Sequence, residues 1–265
     1  STDKEESLDQ LKSTIADLGF YQVFNNSFQN ELESRLFDLK PVPLMNPLNN
    51  KMGFLRTSII PGLLRVSSKN IKNGIKDFRI FEIGKTHQKI NKRGLSGILE
   101  KQSLGLILHG YKNKDYVHGQ NFKEDIYDLK GVLISIFREK FKAKIKFKKD
   151  NCEIYNYSQK ILVDDKVFGK VGLISNKTLK MMKVDNHELI VCELDLSFFN
   201  NEYLDSNSYS KIVVYPKIKR DLNFVIDKNQ DTGAITDLIL KIGNGLIIDC
   251  RPVSIFKDKR LSGKN

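Results

Sequence analysis

The segment Asn46–Gly84, NPLNNKMGFLRTSIIPGLLRVSSKNIKNGIKDFRIFEIG, carries the strongest structural signals in the chain. Pro61 opens a run of helix-forming residues that ends at Asn73 and is followed by Gly74. Proline is favoured in the first turn of a helix and glycine just after the last, so the segment predicts a helix from Pro61 to about Asn73. The apolar pattern of Phe78–Thr86 then predicts a strand.

The residues on either side of this segment predict further elements. Upstream, leucine and isoleucine recur at helical spacing from Leu8 to Leu18, and Gly19 ends the helix. Downstream, Asp125–Phe141 shows the same periodicity. Strands are predicted at Tyr21–Phe28, Leu104–His109, Lys142–Phe147, Lys160–Val163, Lys166–Ile174 and Glu188–Leu194, short helices at Asn30–Phe37 and Asn176–Met182, and a polar hairpin loop at Lys89–Lys101. Strands and helices in no strict alternation indicate the α+β class.

Composition and charge limit the classes of function. The 265 residues suffice for one large domain or two smaller ones. No run approaches the roughly 18 apolar residues of a membrane helix, so we predict no membrane span. Three widely spaced cysteines, Cys152, Cys192 and Cys250, favour reduced thiols in a cytoplasmic protein. The net charge of +12 suggests a nucleic-acid partner, although a lysine-rich composition without a binding role is the alternative. Much of the excess lies in clusters at 140–149, 217–220 and 257–264.

A second domain is predicted after the polar run Asn200–Ser210. The pattern restarts there with a strand at Asp221–Asp227, a helix at Thr232–Ile242 and strand pieces within Leu246–Phe256. We therefore divide the chain into domains at 1–207 and 208–265.

In order and spacing, the motifs NPL, LRTS, IPGLL and RIFEIG resemble the β-subunit family of bacterial phenylalanyl-tRNA synthetase, and with it the class II aminoacyl-tRNA synthetase core. Tyr215–Asp227 is similar to the opening of the anticodon-binding domain of that family. The resemblance covers about residues 5–265. It implies a class II-like mixed or antiparallel sheet with helices in 1–207, followed by the first half of a ferredoxin-like domain in 208–265.

The motifs that carry chemistry in class II enzymes are altered or absent. The second motif normally holds an arginine that grips the α-phosphate of ATP, in the spacing Arg-x-Glu. Here Arg79 and Glu82 are one residue further apart, so Ile80 stands where that arginine would be. A slip of one residue turns a strand side chain to the opposite face of the sheet. The third motif is missing from the first 207 residues, and the four scattered histidines form no metal-ligating motif. We predict no catalytic residue and no metal site.

The resemblance implies a β-subunit part of phenylalanine–tRNA ligase that supports the catalytic α subunit in an (αβ)2 assembly and contacts tRNA(Phe). The chain itself would perform no adenylation and bind no cofactor, while the whole enzyme uses ATP and Mg2+. Two alternatives stay open. One is a stand-alone RNA-binding or regulatory module built on the same inactive core. The other is a genuine ATP-dependent ligase, against which the altered motifs argue.

Basic residues of the C-terminal part are the candidate tRNA contacts, because cations on a sheet edge and its loops can follow a phosphate backbone without reading bases. They are Lys217, Lys219, Arg220, Lys257, Lys259 and Arg260. Solvated lysine is the alternative for each of them. We expect the apolar faces of the first helix and its neighbours to form the interface with the partner subunit. Since the domains that precede this core in the family are missing, we also expect a fragment of a longer β subunit.

Overall fold

The chain divides into two units, Ser1–Ser208 and Tyr209–Asn265. The computed structural model describes residues 2–37, 40–90, 97–112, 122–141, 143–184, 187–196, 218–227, 230 and 232–254. Six helices lie in these ranges: α1 Thr2–Asp17, α2 Glu31–Arg35, α3 Ile60–Lys72, α4 Ile126–Lys140, α5 Asn176–Met181 and α6 Thr232–Ile242. Ten strands lie there as well: β1 Tyr21–Gln22, β2 Phe28–Gln29, β3 Val42–Pro43, β4 Phe54–Leu55, β5 Phe78–Lys89, β6 Ile98–His109, β7 Lys146–Asp150, β8 Tyr155–Val163, β9 Lys166–Ile174 and β10 Ile190–Asp195.

A seven-stranded sheet forms the centre of the larger unit. Its order is β1-β5-β6-β10-β9-β8-β7, and a small second sheet has the order β2-β4-β3. The edge strand β1 runs parallel to β5, while the other neighbours in both sheets are antiparallel. The predicted α+β class with a mixed sheet is therefore confirmed.

Each side of the large sheet is covered by helices, because successive side chains of a strand point to opposite faces. On one side, which we call the α4 face, α1 and α4 pack on the strands through residues such as Ile15, Leu133 and Leu106. On the other side, the α3 face, α3 and α5 pack through residues such as Leu63 and Leu179. The larger unit thus has a three-layer core.

The ends of the helices follow from local sequence signals. Asp125 caps α4, since its carboxylate accepts hydrogen bonds from the main-chain nitrogens of Tyr127 and Asp128. Pro61 lies in the first turn of α3, and Gly74 beyond its last turn has a φ of 83°. Only glycine adopts this left-handed conformation without strain, so Gly74 ends α3 as predicted.

Four predictions in the larger unit differ most from the observed bounds. Of Tyr21–Phe28, only residues 21–22 pair with the large sheet, and residue 28 belongs to the small one. Of the hairpin loop predicted at Lys89–Lys101, residues 98–101 extend β6, where they pair with β5. The strand predicted at Lys142–Phe147 begins at Lys146 and runs to Asp150, and the strand predicted at Lys160–Val163 begins earlier, at Tyr155. In each case pairing with another strand, which the residues of the segment itself do not encode, sets the bounds.

The smaller unit contains α6 at the predicted bounds, Thr232–Ile242. The predicted strands Asp221–Asp227 and Leu246–Phe256 are wrong for the described residues, because 218–227 and 246–254 form no strand. Their apolar side chains are largely exposed, as in Val225 at 78% and Val253 at 84%. An alternating pattern becomes a strand only when a neighbouring strand completes its hydrogen bonds. The ferredoxin-like fold stays a prediction.

Candidate functional site

The large sheet places two glutamates beneath the start of α3. Gly105 of β6 lies directly opposite Glu82 of β5 and also opposite Glu193 of β10, so both carboxylates are on the α3 face. A Cβ atom at Gly105 would lie 2.7 Å from Leu63 Cδ1 and 2.9 Å from Ile59 Cγ2. The glycine therefore lets α3 close onto the sheet between the two carboxylates.

Glu193 holds the turn that enters α3. Its Oε1 accepts a hydrogen bond from the main-chain nitrogen of Ile59 at 2.9 Å, and its Oε2 accepts one from Ser58 Oγ at 2.6 Å. Burial raises the pKa of Glu193, and these two hydrogen bonds oppose that rise. A carboxylate is also favoured at this place because the free N–H groups of a helix start carry partial positive charge. Both oxygens are thus committed to the protein itself.

Glu82 forms a buried ion pair with Arg56 of the LRTS motif. Arg56 Nη1 lies 2.6 Å from Glu82 Oε1, and both side chains are almost fully buried. Arg56 Nε donates to the main-chain oxygen of Lys85 at 2.7 Å, and Asn25 Nδ2 donates to Glu82 Oε2 at 2.7 Å. A Cβ atom at Gly84 would collide with Arg56 Nη2, so the guanidinium occupies the space above this glycine.

Arg79 and Ile80 take structural positions, as the one-residue slip predicts. Arg79 Nη2 lies 2.6 Å from Glu124 Oε1, and Arg79 Nη1 donates to the main-chain oxygen of Leu18 at 3.0 Å. Ile80 is 3% exposed and belongs to the apolar core beneath α3. On the α3 face, a buried apolar side chain therefore occupies the place where the resemblance implies a phosphate-binding arginine.

These residues do not fit ATP or Mg2+. Ile80 offers no hydrogen-bond donor to a phosphate, and the guanidinium of Arg56 is already bound to Glu82 and Lys85. Within the described ranges, no three histidine, cysteine, aspartate or glutamate side chains lie close enough to hold a metal ion. We therefore derive no chemical step through a nucleotide or metal on this face.

The candidate tRNA contacts are described only in part. Lys219 and Arg220 are exposed, and Arg220 Nη1 donates to the main-chain oxygen of Lys219 at 3.3 Å. The other candidates, Lys217, Lys257, Lys259 and Arg260, lie outside the described residues. The set stays a prediction.

The surface expected to bind a partner needs one correction. The apolar face of α1 is not available, because Leu11 and Ile15 are buried in the α4-face core. An amphipathic helix first covers the core of its own domain. Other large apolar side chains of the same unit are exposed instead, namely Tyr21 at 76%, Phe24 at 83% and Met45 at 97%.

Sequence reasoning missed the polar network under α3. It used Arg56 and Ser58 only as parts of a family motif, and it did not consider Glu193. Local signals were present for one member of each pair only. Ser58 precedes a helix that begins with proline, and Arg56 follows a strand pattern. Nothing local connects them to Glu82 and Glu193, which lie 26 and 135 residues away along the chain.

No helix in the described part of the chain combines the length and the apolarity that crossing a lipid bilayer requires.

Comparison with protein families gives a match over most of the chain. Residues 1–196 match the family described as the phenylalanyl tRNA synthetase beta chain CLM domain. The chain is 28% identical to the phenylalanine–tRNA ligase beta subunit of Syntrophus aciditrophicus, over 90% of this chain and 31% of that protein. It is 25% identical to the subunit of the same name from Chlorobaculum tepidum, over 87% of this chain and 30% of that protein. The chain spans about a third of the length of these relatives.

Comparison with solved structures shows a likeness of fold over most of the chain. The chain aligns with a pyrrolysyl-tRNA synthetase from Desulfitobacterium hafniense with a TM-score of 0.53 and 17% sequence identity. The alignment covers 72% of this chain and 65% of that structure. At this identity the likeness concerns the fold alone, and it is consistent with the class II-like core implied by the motifs.

Proposed function

Because the chain belongs to the phenylalanyl-tRNA synthetase β-chain CLM family, we propose that it is a non-catalytic β-subunit part of phenylalanine–tRNA ligase. One observation carries the non-catalytic role. The face where an active class II core would need a phosphate-binding arginine presents the buried Ile80, and α3 is closed over it by Arg56–Glu82 and Ser58–Glu193. The same contacts fix the start of α3 against the sheet, which gives a partner subunit a rigid surface to bind.

The proposed partner is the catalytic α subunit, in an (αβ)2 assembly. Large exposed apolar side chains mark interaction surfaces on soluble domains. Tyr21 and Phe24 lie on and just after β1, an edge strand of the large sheet. We assign the α-subunit contact to this edge, together with Met45.

The second proposed partner is tRNA(Phe). Lys217, Lys219, Arg220, Lys257, Lys259 and Arg260 are the proposed phosphate contacts, and the exposure of Lys219 and Arg220 supports this for two of them. The whole enzyme would use ATP and Mg2+ at the α subunit, in the cytoplasm. This chain would contribute no side chain to the binding of ATP or Mg2+.

Copurification with the α subunit tests the proposal. We expect the 265-residue chain to copurify with a coexpressed phenylalanyl-tRNA synthetase α subunit. In the proposed complex the partner buries the ring of Phe24, and a few buried aromatic side chains carry most of the binding energy of an interface. Phe24→Ser should therefore weaken the complex by about 2 kcal/mol. The matched control is Tyr127→Ser, which removes an aromatic side chain that is 73% exposed on α4. Absence of copurification, with RNA binding retained, would favour the stand-alone RNA-binding module instead.

A further inference from the structure

The α3 face of the large sheet continues past Glu193 into a row of lysines. Lys170 of β9 lies directly opposite Glu193, Lys160 of β8 opposite Lys170, and Lys148 of β7 opposite Lys160. Directly opposite residues of neighbouring strands project from the same face. Lys148, Lys160 and Lys170, which we call the lysine row, therefore project side by side from three adjacent strands over about 10 Å.

The charge of the lysine row is only partly neutralised. Asp150 Oδ2 lies 2.7 Å from Lys170 Nζ, and Asp150 Oδ1 lies 3.5 Å from Lys160 Nζ. The side chain of Lys170 beside it holds the pKa of Asp150 below its ordinary value. Lys148 makes no ion pair with any described residue, and both oxygens of Glu193 are bound at the start of α3. Among the described residues, Asp150 is thus the one carboxylate paired with the lysine row, and it contacts two of the three lysines.

Internal contacts account for this arrangement only in part: Asp150 pairs with Lys160 and Lys170, and Lys170 Nζ lies 5.7 Å from the ring centre of Tyr155. Like charges directly opposite each other on neighbouring strands destabilise a sheet. Lysines on an edge strand are useful because they prevent pairing with another sheet, which explains Lys148 on the edge strand β7. Lys160 and Lys170 lie on the inner strands β8 and β9, where such protection has no purpose. A ligand that neutralises the row explains why both are there.

We propose that the lysine row binds the phosphate backbone of RNA without reading its bases. A phosphodiester chain laid across the strands meets one lysine per strand, at a spacing of about 4.8 Å that the flexible side chains can adjust. The side chains are accessible, since those of Lys160 and Lys170 are 45% and 31% exposed. The strand register supports a polyanionic ligand. The choice of RNA among polyanions rests on the proposed function.

The chain offers a matched control on the opposite face of the same strands. Lys149 of β7 lies opposite Gln159, which in turn lies opposite the α4-face core residue Val171. Lys166 of β9 lies opposite Val163, which belongs to the same core. Both lysines are exposed. Removing them changes the net charge by the same amount as removing Lys160 and Lys170.

The test is binding of a fluorescently labelled oligouridylate to the full 265-residue chain at several salt concentrations. Lys160→Gln with Lys170→Gln should weaken binding about tenfold at low salt and reduce the slope of log affinity against log salt by about 1.4, since each lost phosphate contact accounts for about 0.7 on a single strand. Lys149→Gln with Lys166→Gln should change binding much less. Asp150→Asn should tighten binding, because it removes the one carboxylate among the lysines without removing any lysine.

Three outcomes would overturn the proposal. Equal weakening in both double variants would reduce the row to part of the overall positive charge, and so would no tightening with Asp150→Asn. Competition by polyglutamate as effective as that by unlabelled oligouridylate would assign the row to acidic proteins. Lys219→Gln with Arg220→Gln, measured in parallel, reports on the C-terminal contacts of the proposed function. Failure of one site is thereby distinguished from failure of the other.

Discussion

At the scale of residues, an internal polar network lies between the large sheet and the start of α3. Taking an arginine and a glutamate out of water is costly, and the cost is offset only when their remaining hydrogen-bonding groups find partners. Arg56 and Glu82 meet this condition through Lys85 and Asn25. Strand spacing predicted that Arg79 and Ile80 lie on opposite faces of the sheet, and the structure places Ile80 in the core beneath α3 and Arg79 beside Glu124. Sequence reasoning could not find the Arg56–Glu82 pair, whose members come together only through the tertiary fold.

Breaking this pair on one side should be strongly destabilising. Arg56→Met leaves the carboxylate of Glu82 buried without its cation, and we expect a loss of about 3–5 kcal/mol in the free energy of unfolding, measured by urea denaturation. Arg56→Met combined with Glu82→Leu removes both charges and should recover much of that loss. A single variant that costs under about 1 kcal/mol would show that the pair does not hold the face closed.

Glu193 should make stability depend on pH in the acid range. Because burial raises its pKa in the folded protein, the folded chain binds this proton more tightly than the unfolded chain does. The free energy of unfolding should therefore fall as pH rises from the ordinary glutamate pKa through the raised value. Glu193→Gln keeps an acceptor for Ile59 and should lack this contribution. Urea denaturation across this range gives the comparison, and identical pH profiles for the two proteins would contradict the assignment.

At the scale of elements, the sequence predicts those whose signals are local and misses those that depend on distant partners. The bounds of β9 and α6 agree with prediction, because residues typical of turns or helix ends lie on both sides of each element. The extension of β6 to Ile98 and the absence of strand at 221–227 were both missed. In each case the outcome depends on whether another strand is present to complete the hydrogen bonds.

The contact of α3 with the sheet can be tested by a substitution at Gly105. Gly105→Ala would place a methyl group within 3 Å of Leu63 and Ile59, and overpacking of this kind costs about 1–3 kcal/mol. Gly131→Ala is the matched control, because Gly131 lies exposed within α4 with no atom within 4 Å of the added methyl group. There the same substitution should stabilise by about 0.5–1 kcal/mol, since alanine favours helix. Thermal denaturation compares both variants with wild type, and equal effects would argue against close packing of α3 at Gly105.

At the scale of the whole molecule, the larger unit has a class II-like fold, and its sheet carries the lysine row. The family was predictable from the sequence because its motifs combine fixed spacing with strong local signals, such as the proline that opens α3. The lysine row was visible only as part of the cluster at 140–149. Its other members, Lys160 and Lys170, join Lys148 through the register of β7, β8 and β9.

We propose that this core performs no adenylation, which can be measured as amino-acid-dependent exchange between ATP and pyrophosphate. The purified 265-residue chain, supplied with phenylalanine, ATP and Mg2+, should give no exchange above a sample without protein. Addition of the phenylalanyl-tRNA synthetase α subunit serves as the positive control for the assay. Phenylalanine-dependent exchange by the chain alone, lost in a variant of the α3 face such as Glu82→Gln, would contradict the account.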